Sequence, residues 1–481
     1  MHSSLLLISV LLPVVAGFLY LFLGKGPRVL RRAYVLVTVL ATSVLTLLLF
    51  LFPPEKSLDL IAFTRELELH FHLDGLGRFF SLILAVLYPL TSLYALSYME
   101  RWRHNRPFFM FFLISYGVSL GICFAGNILT LYCFYELLTL STMPLVMNEM
   151  DQDSIRAART YLIYSIGGAA FAFIGVVYLL SNGISHFEFG NGLFAEDNMA
   201  RIMYIVTFIG FGAKAAIFPM HTWLPRAAVA PTPVTALLHA VAVVKAGAFA
   251  IIRLTHYSFQ SQSLIGTWPQ YVVLILCAVT IVYGSAMAMR QIHFKRRLAY
   301  STVANMSYIL LGVALMTPAG LQAGLMHMII HAITKILAFF CAGAVLHMTH
   351  KEYVRDLSGM GYRMPVTFAC FAVASLSLAG IPPFSGFVSK WHLLTASAQL
   401  ANPAAYIGAA ALLISALFTV IYMFSVCVRA YFPVDGTIPT DRTEADWRMT
   451  VPMVILAILV IACGLFAQPI AQWTLAIACG L

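Results

Sequence analysis

Apolar windows of about twenty residues follow one another along almost the whole chain, parted by short polar stretches. In hydrocarbon a backbone must satisfy its own hydrogen bonds, so segments of this kind cross a bilayer as helices. The windows lie near 4–23, 34–52, 77–99, 109–126, 128–147, 160–181, 201–218, 234–255, 271–289, 299–317, 322–348, 366–399, 404–429 and 450–475. The expected fold class is therefore an all-α polytopic membrane protein with about 14 transmembrane helices. A chain that is 61% hydrophobic and 10% charged lies far outside the composition of soluble domains. The longest polar stretches, 53–76, 182–200 and 431–448, are loop-sized, so no soluble domain is expected. Met1-His2-Ser3-Ser4 has no basic region and no small-residue cleavage site follows, so the first window reads as a retained helix.

The basic residues set the topology. Of 29 Lys and Arg, 20 fall in loops after odd-numbered windows and only Lys56, Arg65 and Arg201 in loops after even-numbered ones. The positive-inside bias then puts the odd loops in the cytoplasm and both termini outside, with the inner membrane of a prokaryote as the expected location. The net charge of +10 is a record of this topology, and no nucleic-acid partner is expected. Seven of the eight cysteines lie in apolar windows and Cys479 just past the last one, without a C-x-x-C pair, which argues against a disulfide framework or an iron-sulfur or zinc site. No Walker or dinucleotide fingerprint occurs, so no cofactor and no ATP-driven transport are expected.

Six basic residues remain inside windows. Arg78 and Arg253 lie near window ends, where a long side chain can snorkel to the interface. Lys214, Lys245, Lys335 and Lys390 lie deeper, and Glu136 is the one acid well inside a window. Each such charge costs at least about 2.5–3.5 kcal/mol, so those that persist mark polar interiors and ion paths. Lys214 precedes Phe218-Pro219 and Lys390 follows Gly380-Ile381-Pro382-Pro383, and proline breaks a helix by removing a donor. Windows seven and twelve are thus both broken and both carry a lysine. They are five windows apart, an odd number, so a repeat of five would run inverted, with its site at the broken helices.

Each candidate has a plainer reading beside the functional one. Glu136 and Lys214 form either a switching pair or a fixed ion pair, with a neutral, hydrogen-bonded Glu136 as a third possibility. Lys245 is either a proton carrier or a strut on helix-break carbonyls, and His239 beside it has a side chain poised to titrate. His327, His331 and Lys335 recur at a spacing of four and share one helix face. They form a proton wire, or histidines satisfied by hydroxyls and backbone, or half a zinc site. The third option lacks an acidic ligand in its window, and no metal is expected. Lys390 exchanges protons with the outside or a neighbouring subunit, or else snorkels. His221 either relays between Lys214 and Lys245 or caps the broken helix.

Taken together, Tyr135-Glu136, Gly212-Ala213-Lys214 with Phe218-Pro219-Met220-His221-Thr222-Trp223-Leu224-Pro225, Pro231-Thr232-Pro233 running to His239-Ala240, Arg296-Arg297-Leu298-Ala299-Tyr300-Ser301-Thr302, and Gly380-Ile381-Pro382-Pro383 running to Lys390 carry a resemblance. They resemble the antiporter-like membrane subunits shared by respiratory complex I, Mrp-type cation/proton antiporters and energy-converting hydrogenases, over about residues 70–400. The resemblance implies two inverted five-helix repeats with broken helices at spans 7 and 12. Residues 1–108 would form an N-terminal three-helix segment, 109–255 and 271–429 the two half-channels, and 430–481 a C-terminal loop and last helix. It implies that Glu136 and Lys214 switch the first half-channel, Lys245 joins the halves, His327, His331 and Lys335 line the second, and Lys390 closes it. Tyr135 stands where many members have Trp, and Lys390 where some have Glu. Lys245 within Val244-Lys245-Ala246-Gly247 suits the Mrp D and hydrogenase-associated types, and the chain has no room for the long lateral helix of the largest complex I member.

The implied function is a proton-translocating subunit of a multisubunit membrane complex, without a redox centre of its own. Its expected partners are other membrane subunits, related antiporter-like ones among them, together with lipids and protons, with Na⁺ as a second candidate ion. Two rival readings are a free-standing transporter of a small solute and a membrane-recruiting subunit of an attached enzyme.

Overall fold

The computed structural model describes residues 3–23, 27–64, 67–100, 102, 104–433 and 439–481. Lys25, Arg65, Arg101 and Arg103 of the charge pattern lie outside the described residues. The first part of the chain forms α1 Ser4–Phe22, α2 Arg28–Leu51, α3 Gly75–Tyr98, α4 Asn105–Phe124, α5 Ile128–Val146, α6 Gln152–Ser181, α7 Asn198–Lys214, α8 Trp223–Ala227, α9 Thr232–Ala240 and α10 Val243–Arg253. The second forms α11 Ser261–Leu264, α12 Trp268–Arg290, α13 Phe294–Ala314, α14 Pro318–Thr349, α15 Met360–Arg363, α16 Pro365–Ala379, α17 Ser385–Gln399, α18 Pro403–Tyr431, α19 Trp447–Leu465 and α20 Ala467–Ala478. Several starts are written in the sequence as side-chain caps. Asp74, Asn127, Asp151, Asp197 and Thr317 each accept from the backbone N–H three residues on, and Asn402 from the one two residues on.

Among the described residues, eleven helices are long and apolar enough to cross a membrane, α9 and α10 counting as one. The expected windows that fall short do so for visible reasons. Windows seven and twelve are broken into α7/α8 and α16/α17, and α13, the helix that covers most of window ten, opens on Lys295, Arg296 and Arg297. Two further elements differ from the expectation. Window eight, which contains no interior proline, is also broken, between α9 and α10 at Val241 and Ala242, with both N–H groups donating to Leu237 O. The last window is two helices, α19 and α20, rather than one. The 53–76 stretch holds a short antiparallel hairpin, β1 Leu58–Ala62 and β2 Glu68–Phe71.

The loops sort onto two faces. On one, the hairpin face, isolated backbone bridges join Phe71 to Ala125, Asn127 to His186, and Leu193 to Phe259. On the other, the basic face, Arg32 and Arg448 both reach Glu100, Ser97 donates to Asp446, Asn148 donates to His104 O, and His293 meets Glu352. The residues joined on the first face lie at or after the ends of even-numbered windows, and those joined on the second at or after the ends of odd-numbered ones.

Lateral surfaces of α1, α2, α6 and α18 expose Leu, Ile, Val and Phe, whereas Lys214, Lys245, Lys335, Lys390, His239, His327 and His331 are buried. This is the inverse of a soluble protein and suits a lipid surround. The long α14 runs through the centre, packed on α9, α13, α16, α17, α19 and α20. It carries three of the candidate titratable residues inward.

Candidate functional site

Helix α7 stops at Lys214 in a closing turn, with Ala216 N donating to Ala213 O and Ile217 N to Gly212 O, and Pro219 just beyond has no N–H with which to resume the ladder. The chain turns through Ala216 at φ 59°, and Trp223 Nε1 donates at 2.8 Å to Ala213 O, which also accepts from Ala216 N. Lys214 therefore sits at a helix C-terminus, where unpaired carbonyls favour a cation. Its Nζ lies 3.2 Å from Glu136 Oε1, donates to Tyr135 O, and rests 3.3 Å from the centroid of the Tyr135 ring. Lys214 is fully buried and the Glu136 side chain is 26% exposed, so the pair reaches the lateral surface on its acidic side only.

Helix α10 abuts this break through Gly247. A Cβ there would lie 2.5 Å from Ala215 N, a backbone atom with no freedom to move aside. Gly247→Val is expected to destabilise the protein by about 1–3 kcal/mol through forced separation of α10 from α7, seen as a lower melting temperature in detergent. An unchanged melt would show that the two segments are not held together here.

The same glycine-bearing helix places Lys245 in the centre of the protein, fully buried, with its Nζ 2.5 Å from His331 Nδ1. His331 stacks on His327 at 5.9 Å between centroids. His327 in turn meets Ser389 Oγ through Nδ1 at 2.9 Å and Asn305 Oδ1 through Nε2 at 3.3 Å. Ser389 is the residue before Lys390. Hydrogen bonds thus join Lys245 to His331 and His327 to the second broken helix, and a ring contact alone bridges the two histidines, His331 Nε2 having no hydrogen-bond partner.

Lys390 does not snorkel. It is buried, and its Nζ donates to Leu378 O at 2.5 Å and Ala379 O at 3.3 Å. These are the two carbonyls that a continuous helix would pair with the N–H groups of residues 382 and 383, and both of those are prolines. The ammonium replaces the two hydrogen bonds that Pro382 and Pro383 delete. Arg253, also expected to snorkel, is instead buried and paired with Asp74. Arg78 is tied to Phe50 O at the end of α2.

The other candidates are placed differently from the expected axis. Lys335 shares the α14 face with His327 and His331 but branches away, donating to Ser301 Oγ at 2.7 Å, a hydroxyl that also accepts from Tyr422. His239 is buried against Phe339, with Lys245, Lys295 and Lys335 as its charged neighbours. His221 joins neither Lys214 nor Lys245 by a hydrogen bond. Its ring lies against Phe218 and Tyr283.

Lys295 opens the basic triplet before Leu298, and in sequence it is indistinguishable from a loop charge. It is in fact buried, donating to Ala230 O at 2.9 Å. Cavities of about 570 and 490 Å³ on the basic face share Glu149, Lys295 and Glu352 in their walls. Burial raises the Glu149 carboxyl above its ordinary range, and Lys295 pulls it partly back. A carboxylate and a buried lysine thus share the walls of these cavities, and the same lysine is a charged neighbour of His239.

The family described as NADH:quinone oxidoreductase/Mrp antiporter, TM, matches residues 125–419, a span that contains all nine candidate residues. NADH-quinone oxidoreductase subunit N of Desulforudis audaxviator is 33% identical over 409 residues, covering 81% of this chain and 80% of that protein. Na(+)/H(+) antiporter subunit A1 of Staphylococcus aureus is 31% identical over 501 residues, 96% of this chain, but the chain spans only 61% of that relative's length. In fold, the chain is similar to one in the Mrp complex from a Dietzia species, with TM-score 0.87, 21% identity and coverage of 100% of this chain and 97% of that one. A chain of the archaeal membrane-bound sulfane sulfur reductase matches with TM-score 0.85 at 22% identity, covering 99% and 97%.

Proposed function

Because this chain belongs to the NADH:quinone oxidoreductase/Mrp antiporter family of membrane subunits, we propose that it moves protons across a membrane within a multisubunit complex, along Glu136, Lys214, Lys245, His331, His327 and Lys390. The observation that carries this reading is the contact row Lys245, His331, His327 and Ser389, with a lysine at a broken helix beyond each end. Lysines and histidines hand on protons because burial and neighbouring charge can bring their two protonation states close in energy. Lys335 and His239 belong to a branch, and the cavity at Lys295 gives that branch water on the basic face.

In this reading helices α7/α8, α13 and α16/α17 cross the bilayer with the eleven, giving fourteen spans. Segments 109–255 and 271–429 are inverted half-channels, and the basic face is cytoplasmic in a prokaryotic inner membrane. Lys214 precedes its break and Lys390 follows its own, so the halves are related in path and differ in detail. Kinship with the Mrp D and hydrogenase-associated types rests on Lys245 and Lys390 alone.

The test is proton translocation in proteoliposomes of the complete complex. His331→Ala is expected to lower the rate by about 100-fold, the lower edge of what a positioned proton-transfer group contributes. The assembled complex should still run intact on a native gel. Unchanged translocation in that variant would remove the row from the mechanism.

A further inference from the structure

We propose that the hairpin face carries a binding site for a transition-metal dication of the zinc type, with Glu68, His70 and His186 as ligands and Asp59 as the fourth. Glu68 and His70 are two apart on β2 and so share one face. Asp59 pairs directly with His70 across the hairpin, putting a second carboxylate on that face. His186 arrives from the loop after α6. One ligand atom from each of Glu68, His70 and His186 lies within 4.8 Å of the others.

The spacings fit an ion. Glu68 Oε1 is 3.5 Å from His70 Nδ1 and 3.5 Å from His186 Nε2, and ligand atoms on a tetrahedral zinc with bonds of about 2.0–2.1 Å stand about 3.4 Å apart. The two imidazoles meet edge to face at 5.1 Å, leaving room between their nitrogens. Asp59 Oδ1 is hydrogen-bonded to His70 Nδ1 at 2.6 Å. On ion binding the Nδ1 proton leaves to solvent, the nitrogen and the carboxylate oxygen each form a bond to the metal, and the exposed Asp59 side chain swings in to join the three-residue cluster. Two carboxylates and two neutral imidazoles balance a 2+ charge.

The site is also held open in advance. Asn127 Nδ2 donates to Glu68 O at 2.8 Å, its backbone bridges to His186, and His70 N donates to Thr130 Oγ1 at 2.8 Å. The start of α5 thereby fastens both ligand-bearing segments. Gly126 completes the cradle, since a Cβ there would lie 2.5 Å from His70 Cδ2. The His186 side chain is 46% exposed and Asp59 68%, so an ion reaches the site from solvent. A bound ion would staple the loop after α6 to the hairpin.

The experiment is a competition titration of Zn²⁺ against a chromophoric chelator on the full, tag-free chain in detergent, with Mg²⁺ as the comparison ion. The wild type is expected to bind one Zn²⁺ and no Mg²⁺ at the same concentrations. His70→Ala and His186→Ala should each weaken binding about 100-fold or more, beyond the effect of losing an outer-shell partner. Hydrogen exchange across 182–191 should slow on adding Zn²⁺ in the wild type and stay unchanged in His186→Ala. That variant alters an exposed loop residue, so its metal-free melting temperature serves as the folding control. Equal Zn²⁺ affinity in the wild type and the His70→Ala/His186→Ala double variant overturns the proposal, as does an X-ray absorption spectrum showing oxygen-only coordination.

Discussion

Lys214→Ala is expected to bring ion transport down to the background of vesicles lacking the chain, while the complex still assembles. Glu136→Gln should do the same. Two unit charges 3.2 Å apart attract by about 5 kcal/mol at an effective dielectric of about 20. Moving one charge through a membrane potential involves about 2.3 kcal/mol per 100 mV. Making and breaking this pair is therefore an energy step larger than the driving force per proton, and a change of charge at a neighbouring lysine is enough to tip it. Without Glu136 the ammonium keeps only Tyr135, its carbonyl and its ring, and no longer has two states to switch between. Dye-reported acidification of vesicles measures the loss. Transport at wild-type rates in either variant would sink the switching role and leave the pair a strut.

The second large effect lies away from the axis. Asp74→Ala is expected to cost roughly 3–5 kcal/mol of stability, the usual consequence of stripping the partner from a buried charge. Arg253 is 1% exposed and donates to both carboxylate oxygens of Asp74, at 2.5 and 2.7 Å. Phe187, Phe249 and Tyr257 wall in its guanidinium. Asp74 also accepts from Gly77 N as the cap of α3, so one carboxylate holds two elements. The double variant Asp74→Ala/Arg253→Leu should recover much of the loss, because no unpaired charge remains. A thiol-reactive dye reads the melt directly, since Cys123, Cys277, Cys341 and Cys370 are buried and free. Burial alone would raise the Asp74 carboxyl, but the Arg253 charge and the hydrogen bonds from Arg253 and Gly77 hold it below its ordinary range. Its stabilising contribution is thus fully present above the unfolded carboxylate value of about 3.9 and is lost only as pH falls through the lower folded value. Melting temperatures of the wild type and Asp74→Ala should stay a constant distance apart from pH 5 to 8 and converge in acid. A gap that closes near neutrality would place the pair's titration elsewhere.

What was legible in the sequence is what hydrocarbon makes expensive. Lys214, Lys245, Lys335, Lys390 and Glu136 stand out because an apolar window leaves few reasons for a charge, and the prolines beside two of the lysines mark the breaks. The break at Val241 and Ala242 carries no such mark, since neither residue lacks an N–H or favours a turn. Asp74 sits in a polar stretch where one more carboxylate has no distinction, and its partner is 179 residues away. Lys295 was hidden by its neighbours: a basic triplet reads as a loop, yet the helix that begins there turns its first lysine inward. The hairpin strands, five and four residues long, are too brief for alternation to show.

Helix α14 has 32 residues, about 48 Å at 1.5 Å per residue, against a hydrocarbon core of about 30 Å. It is longer than the membrane is thick, and the surplus must stand in water or be taken up by tilt. His327, His331 and Lys335 all lie within about 10 Å of its midpoint along the axis, and all three are buried. Its far end is spent differently. His347 and His350, at and just beyond the last turn, line the walls of the 1200 and 570 Å³ cavities on the basic face. In the proposed reading one rod carries the protonatable row in its middle and forms part of the rim of the basic-face cavities at its end. Shortening that end by a turn would reshape those cavities without touching a single group of the proposed row.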